Sequence, residues 1–134
     1  MKAETAPSEH ERLSPTGAPS LGVHLILELY DCNRDLLRDN TRLATGLEEA
    51  VRRTGATIID SLFHSFSPGG LSGAVVIAES HVTLHTWPEH GYAAVDAFTC
   101  GEPDLARKIE EALVALFGAV HYKATYLPRG LPTG

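Results

Sequence analysis

Cysteine is nearly absent. Cys32 and Cys100 are the two in 134 residues. Neither belongs to a CxxC pair, and two thiols in a chain of this size make no disulfide framework. Basic residues are outnumbered, 11 Lys and Arg against 17 Asp and Glu, for a formal net charge of −6. The phosphates of a nucleic acid would repel such a chain, and no basic cluster offsets the balance. No run approaches about 18 apolar residues, so no segment is expected to span a membrane. The opening stretch MKAETAPSEHERLSPTGAPS carries no apolar h-region of a secretory signal. Together these absences predict a cytoplasmic protein with reduced thiols, and exclude nucleic acid and membrane as expected partners.

What is present fits one globular domain: 43% hydrophobic and 21% charged residues, with enough length to bury a core. Residues 1–20 hold Pro7, Pro15, Pro19 and mostly small polar residues, a composition that predicts a disordered tail. The domain is expected over 21–134.

Within it, GVHLILELY (22–30) reads as a strand. In 31–55, Leu36, Leu37, Leu43, Leu47 and Val51 recur at helical spacing, with Asn33 as N-cap and Gly55 as stop; Asp39-Asn40 is a break or a second cap. Residues 56–66 and 73–80 read as strands joined by the turn-rich SPGGLS, and 81–87 and 92–100 as strands around PEHG. EPDLARKIEEALVALFG (102–118) has helical periodicity with Pro103 in the first turn, and 119–127 reads as a last strand. The order β-α-β-β-β-β-α-β predicts an α+β two-layer sandwich: a mostly antiparallel sheet with two helices on one face. The other face then needs cover, and a second copy of the chain would supply it.

The segment AESHVTLHTWPEHGYAAVDAFTCG (78–101) concentrates the reactive side chains. His81 and His85 form HxxxH, a zinc pattern on a helix, but the residues alternate as a strand, where four positions span about 13 Å. A metal site is therefore not expected. Ser80, His85 and Asp96 invite a hydrolase triad, yet no GxSxG elbow surrounds Ser80. On strands, His81, Thr83, His85 and Trp87 share one side, as do Tyr92, Ala94, Asp96, Phe98 and Cys100. Spacing alone leaves this side open between a wet face and a pocket lining, and leaves Cys100 open between a reactive thiol and a small core residue.

FHSFSPGGLSGAVVIAESHVTLHTWPEHGYAAVDAFTCG, with GVHLILELYDC before it, resembles the short prokaryotic S-adenosylmethionine decarboxylases. The resemblance implies a proenzyme that cuts itself at Glu79–Ser80 into residues 1–79 and 80–134. Ser80 would attack the Glu79 carbonyl, and elimination and loss of nitrogen would leave a pyruvoyl cofactor derived from Ser80. That group forms a Schiff base with the substrate amine and accepts electrons as CO2 leaves. By the same resemblance His85 is the processing base, Ser72 a second processing residue, and Cys100 the proton donor of turnover. Phe66 and Trp87 match positions suited to adenine, and Glu89 one suited to ribose hydroxyls. The small-molecule substrate is then S-adenosylmethionine, whose product supplies aminopropyl groups for spermidine. The family also implies a homodimer of four-layer αββα form, each site drawing on both protomers. Departures are Gly69, where the family often has a larger residue, His90, where it often has Tyr, and the segment Lys123–Arg129. Two other readings stay open: a decarboxylase of ornithine or arginine on the same scaffold, and an uncleaved binding or regulatory module.

Overall fold

Six β-branched and leucine-rich runs pair into one sheet because each alternates between a face that packs on helices and a face that does not. The structure, a computed structural model, describes residues 20–100 and 104–131. The expected tail lies outside these residues apart from Ser20, and so does Pro103.

The strands are β1 (Gly22–Tyr30), β2 (Ile58–Ser65), β3 (Leu71–Ile77), β4 (Ser80–Trp87), β5 (Tyr92–Cys100) and β6 (His121–Arg129). Their order is β2-β3-β4-β5-β1-β6, with every pairing antiparallel. The middle of the sheet is a meander, because the connections between β2 and β5 are too short for a crossover. β1 then slots between β5 and β6, giving it two neighbours and an interior position.

The helical stretch after β1 is two helices. In α1 (Arg34–Leu37) Asn33 caps the start, its side chain accepting from Leu36 N; in α2 (Asn40–Arg53) Asp39 does the same for Arg42 N. The Asp39-Asn40 pair is thus a second start, which also corrects the expected count of two helices to three. The third, α3 (Leu105–Phe117), ends at Gly118 with φ 60, a left-handed stop that suits glycine. Leu43, Leu47 and Val51 of α2, and Ile109, Leu113 and Phe117 of α3, pack fully buried against Leu25, Leu27, Val82, Leu84, Val95 and Ala97 of the sheet. This is the expected α+β architecture with helices on one face. Each buried aliphatic side chain is worth roughly 1.5–3 kcal/mol.

Two strand boundaries move in a way that matters. β3 ends at Ile77 and β4 already begins at Ser80, so the hairpin turn is Ala78–Glu79 and Ser80 is the first strand residue after it. No helix among the described residues is long and apolar enough to cross a membrane.

Candidate active site

The β3–β4 turn is tied down from both sides. Ala78 N donates to Thr57 O at 2.8 Å, and Thr57 N donates to Glu79 Oε1 at 3.4 Å. Directly after the turn, Ser80 adopts φ 149, a region that glycine occupies easily and other residues hold at a cost of about 1–3 kcal/mol. Ser80 lies opposite Thr99 across the β4–β5 ladder, which brings the end of β5 to the turn. There the Glu79 carbonyl oxygen accepts twice: from Cys100 N at 3.0 Å and from Cys100 Sγ at 3.2 Å. Two donors aimed at one carbonyl oxygen stabilise the negative charge that gathers there under nucleophilic attack. Ser80, the next residue, carries a hydroxyl. Cys100 is exposed, which removes its reading as a core residue. Cys32 is the contrast: buried, with Sγ on Leu29 O, its thiol is pushed up to about 12, first by burial and then by neighbouring Asp31.

A second group of reactive residues sits toward the other end of β4. Ser72 of β3 and His85 of β4 are register partners, with Ser72 Oγ and His85 Nδ1 2.8 Å apart. In the tautomer whose Nδ1–H donates to Ser72, Nε2 carries a free lone pair. Both residues line a groove of about 490 Å³, together with Phe66, Trp87, Glu89 and the segment 67–70. That volume lies in the range of small-molecule sites. Phe66 is 50% and Trp87 40% exposed, so each ring has a face to offer, and neither is a core residue. A groove of about 410 Å³ between α2 and α3, lined by Gly46, Ala50, Ala115 and Leu116 among others, holds none of these reactive groups.

The two groups do not meet within the chain. Ser80 and His85 are five residues apart on one strand, about 16 Å at strand rise. Asp96 stands opposite Thr83 and joins neither group, so the Ser80, His85, Asp96 triad is not assembled. His81 and His85 likewise lie four positions apart on β4, too far to share one ion.

Sequence spacing missed a network on the open face of the sheet. Asp96 receives His24 Nε2 at 2.7 Å, His81 Nε2 at 3.4 Å, and the Thr83 hydroxyl. Arg129 of β6 donates to His24 Nδ1 at 2.9 Å, so the His24 Nε2 carries the proton that Asp96 accepts. The ligand atoms of His24, His81 and Asp96 lie within 4.8 Å of one another, but that donated proton and the adjacent guanidinium make a hydrogen-bond network the better description. Burial alone would raise the Asp96 carboxyl; the bonds from Thr83, His24 and His81 and the adjacent His24 outweigh it and hold it below the usual carboxylate range. Alternation in β1 puts His24, Ile26 and Glu28 on one side, a signal that polar residues face away from the core there. Only the pairing of β1 with β5 says what they meet.

A family model described as S-adenosylmethionine decarboxylase matches residues 23–130. The S-adenosylmethionine decarboxylase proenzyme of Thermosipho melanesiensis is 57% identical over 83 residues, which cover 62% of this chain and 64% of that protein; the matched stretch thus spans just under two thirds of that relative. The proenzyme of the same name from Prochlorococcus marinus MIT 9313 is 43% identical over 112 residues, covering 84% of this chain and 90% of that one. The crystal structure of the adenosylmethionine decarboxylase from Aquifex aeolicus VF5 superposes with a TM-score of 0.81 at 34% identity, covering 87% of this chain and 96% of that chain. With its fold and nearly its whole described length accounted for in this way, the chain belongs to the S-adenosylmethionine decarboxylase family.

Proposed function

We propose that the chain is a self-processing decarboxylase of S-adenosylmethionine. It cuts itself between Glu79 and Ser80 into residues 1–79 and 80–134, forms a pyruvoyl group from Ser80, and works as a homodimer. The observation that carries this reading is the double grip of Cys100 on the Glu79 carbonyl, beside a Ser80 held at φ 149.

Cleavage follows from those contacts. The Ser80 hydroxyl attacks the Glu79 carbonyl carbon, and negative charge develops on the oxygen that Cys100 N–H and Sγ–H already hold. The C–N bond then breaks, the nitrogen takes up a proton, and an ester replaces the amide. Relief of the strained Ser80 conformation favours this direction. A base next removes the Ser80 α-proton, the Glu79 carboxylate leaves, and water releases ammonia from the resulting dehydroalanine. The residues at the turn suit a pyruvoyl group, because the exposed Cys100 thiol lies beside the atoms that would form it. Such a group supplies a ketone that captures an amine and a neighbouring carbonyl that takes up electrons as CO2 departs. Cys100 Sγ, already within hydrogen-bond reach of Glu79 O, is placed to return a proton to the substrate carbon.

The base is His85, supplied by a second copy. Within one chain it lies about 16 Å along β4 from Ser80, too far for proton removal. The open sheet face exposes Tyr30, Leu62, Val76, Trp87 and Leu127, an apolar scatter suited to another sheet at about 10 Å. Stacking two such faces about a two-fold axis sets the turn of one copy against the groove of the other. The partner subunit's His85 and Ser72 then serve cleavage, and the partner's Phe66, Trp87 and Glu89 hold the adenosyl group. Two aromatic faces suit adenine beside a sulfonium, and a carboxylate suits vicinal hydroxyls. No feature of the groove favours ornithine or arginine over this substrate. Intact-mass measurement should give the two fragments, with the smaller one trapped by a carbonyl reagent, and turnover should be highest on S-adenosylmethionine. A single uncut chain that is fully active would end this reading.

A further inference from the structure

We infer that Asn40 and Arg34, at the starts of the two short-spaced helices, are positioning residues that set the width of the substrate groove. The inference rests on the assignment of the Phe66, Trp87 and Glu89 groove to the substrate.

Neither residue is needed to start its helix. Asn33 and Asp39 make the capping bonds of α1 and α2, which frees the next side chain in each case. Asn40 Nδ2 instead crosses to Gly70 O at 3.0 Å. That same oxygen accepts from Phe66 N at 2.9 Å, closing the loop that carries Phe66. The amide of Asn40 can point only this way, because a carbonyl cannot donate to its Oδ1. Its Oδ1 is buried with no hydrogen-bond partner, a loss that the bond to Gly70 must offset. Gly70 cannot readily carry a side chain: its φ is +115, and a Cβ there would lie 3.2 Å from Thr86 O. The loop is therefore seated on β4 below and on Asn40 behind.

Arg34 does the same for the opposite wall. Its guanidinium donates to Glu89 O at 3.2 Å, in the short 3-10 turn Pro88–His90. It also lies where a side chain at Gly91 would go, 3.1 Å from the position of a Cβ. The single corner between α1 and α2 thus fixes both the loop bearing Phe66 and the turn bearing Glu89. It touches neither Glu79–Ser80 nor Cys100. A looser corner widens the groove at Phe66 and Glu89 and weakens substrate binding, while Ser72 and His85 stay held by the β3–β4 ladder and self-cleavage is kept.

Asn40→Asp separates this role from a structural one. An acid at the first position of α2 favours the helix through its dipole, which offsets part of the cost of an oxygen left facing Gly70 O. The same change replaces the donor facing Gly70 O with an acceptor. Trp87 is the only Trp in the chain, so quenching of its fluorescence by adenosine reads groove occupancy in the cleaved full-length protein. Asn40→Asp should leave the cleaved fraction at the parent value and unfolding cooperative, with a somewhat lower melting temperature. It should raise both the adenosine Kd and the substrate KM about tenfold, the order expected for exchanging one hydrogen bond for a repulsion, with kcat within about twofold. Arg34→Ala should shift Kd in the same direction. If Asn40→Asp keeps the parent Kd and KM, the corner is only a helix start and the inference is wrong. If the parent itself neither binds adenosine nor turns over S-adenosylmethionine, the groove assignment fails and takes the inference with it.

Discussion

Cys100 makes two separable contacts with one atom. Its backbone N–H and its thiol both reach Glu79 O, but a substitution removes only the thiol. Cys100→Ala should therefore still cleave, because the N–H stays in place and Ala differs little in volume. Its turnover should fall by roughly 10²–10⁴, the range for losing a positioned proton donor; fragment mass and steady-state rates measured on one preparation decide this. Parent-like turnover would move the proton donor elsewhere. Ser80 allows a second separation. Ser80→Ala and Ser80→Gly both lack the hydroxyl and should stay whole and inactive. Glycine tolerates φ 149 and alanine does not, so the Gly variant should resist urea by about 1–3 kcal/mol more. Equal stabilities would mean that the backbone at Ser80 is relaxed and contributes nothing to cleavage.

The network around Asp96 belongs to the sheet, since it draws on β1, β4, β5 and β6 at once. Its folded carboxyl sits below the ordinary value of about 3.9. A depressed carboxylate contributes stability above its unfolded pKa and loses it as pH falls through the folded one. Resistance to urea should therefore fall below about pH 4. Asp96→Asn should cost about 1–3 kcal/mol near neutral pH through lost charged hydrogen bonds and flatten that acid limb; an unchanged limb would place the titrating group elsewhere. The sequence made parts of this sheet readable. Residues 81–87 and 92–100 alternate, and the buried side chains Val82, Leu84, Thr86, Ala93, Val95, Ala97 and Thr99 are those the alternation assigns to the core. The split at Asp39 was readable as a choice between break and cap, because Asn and Asp favour helix starts; only tertiary packing decides it. The start of β4 was misplaced by one residue because Ala78-Glu79 has no turn signal of the Asn-Gly kind. The candidate site was suggested by resemblance. Pattern could not show it, because 21 residues separate Glu79 from Cys100 and only the pairing of β4 with β5 closes that gap. His24 and Arg129, 105 positions apart, were out of reach for the same reason.

At the scale of the whole molecule, the residues assigned to the proposed reaction lie in two places. The turn at Glu79–Ser80 has the proposed nucleophile, the carbonyl it would attack and the Cys100 thiol. The groove has Ser72, His85, Phe66, Trp87 and Glu89. Each protomer thus carries two half-sites at opposite ends of β4, and the proposed dimer joins them in pairs. Complementation between two inactive variants tests this directly. Alone, Ser80→Ala lacks the nucleophile and His85→Ala lacks the base, so neither should cleave. Co-expressed with distinguishable tags, they form mixed dimers in which an intact Ser80 faces the partner's intact His85. The account predicts that His85→Ala chains are cut at Glu79–Ser80 in those mixed dimers, that Ser80→Ala chains stay whole, and that carbonyl trapping marks only the fragment from the former. Mixed dimers in which no His85→Ala chain is cut would contradict it.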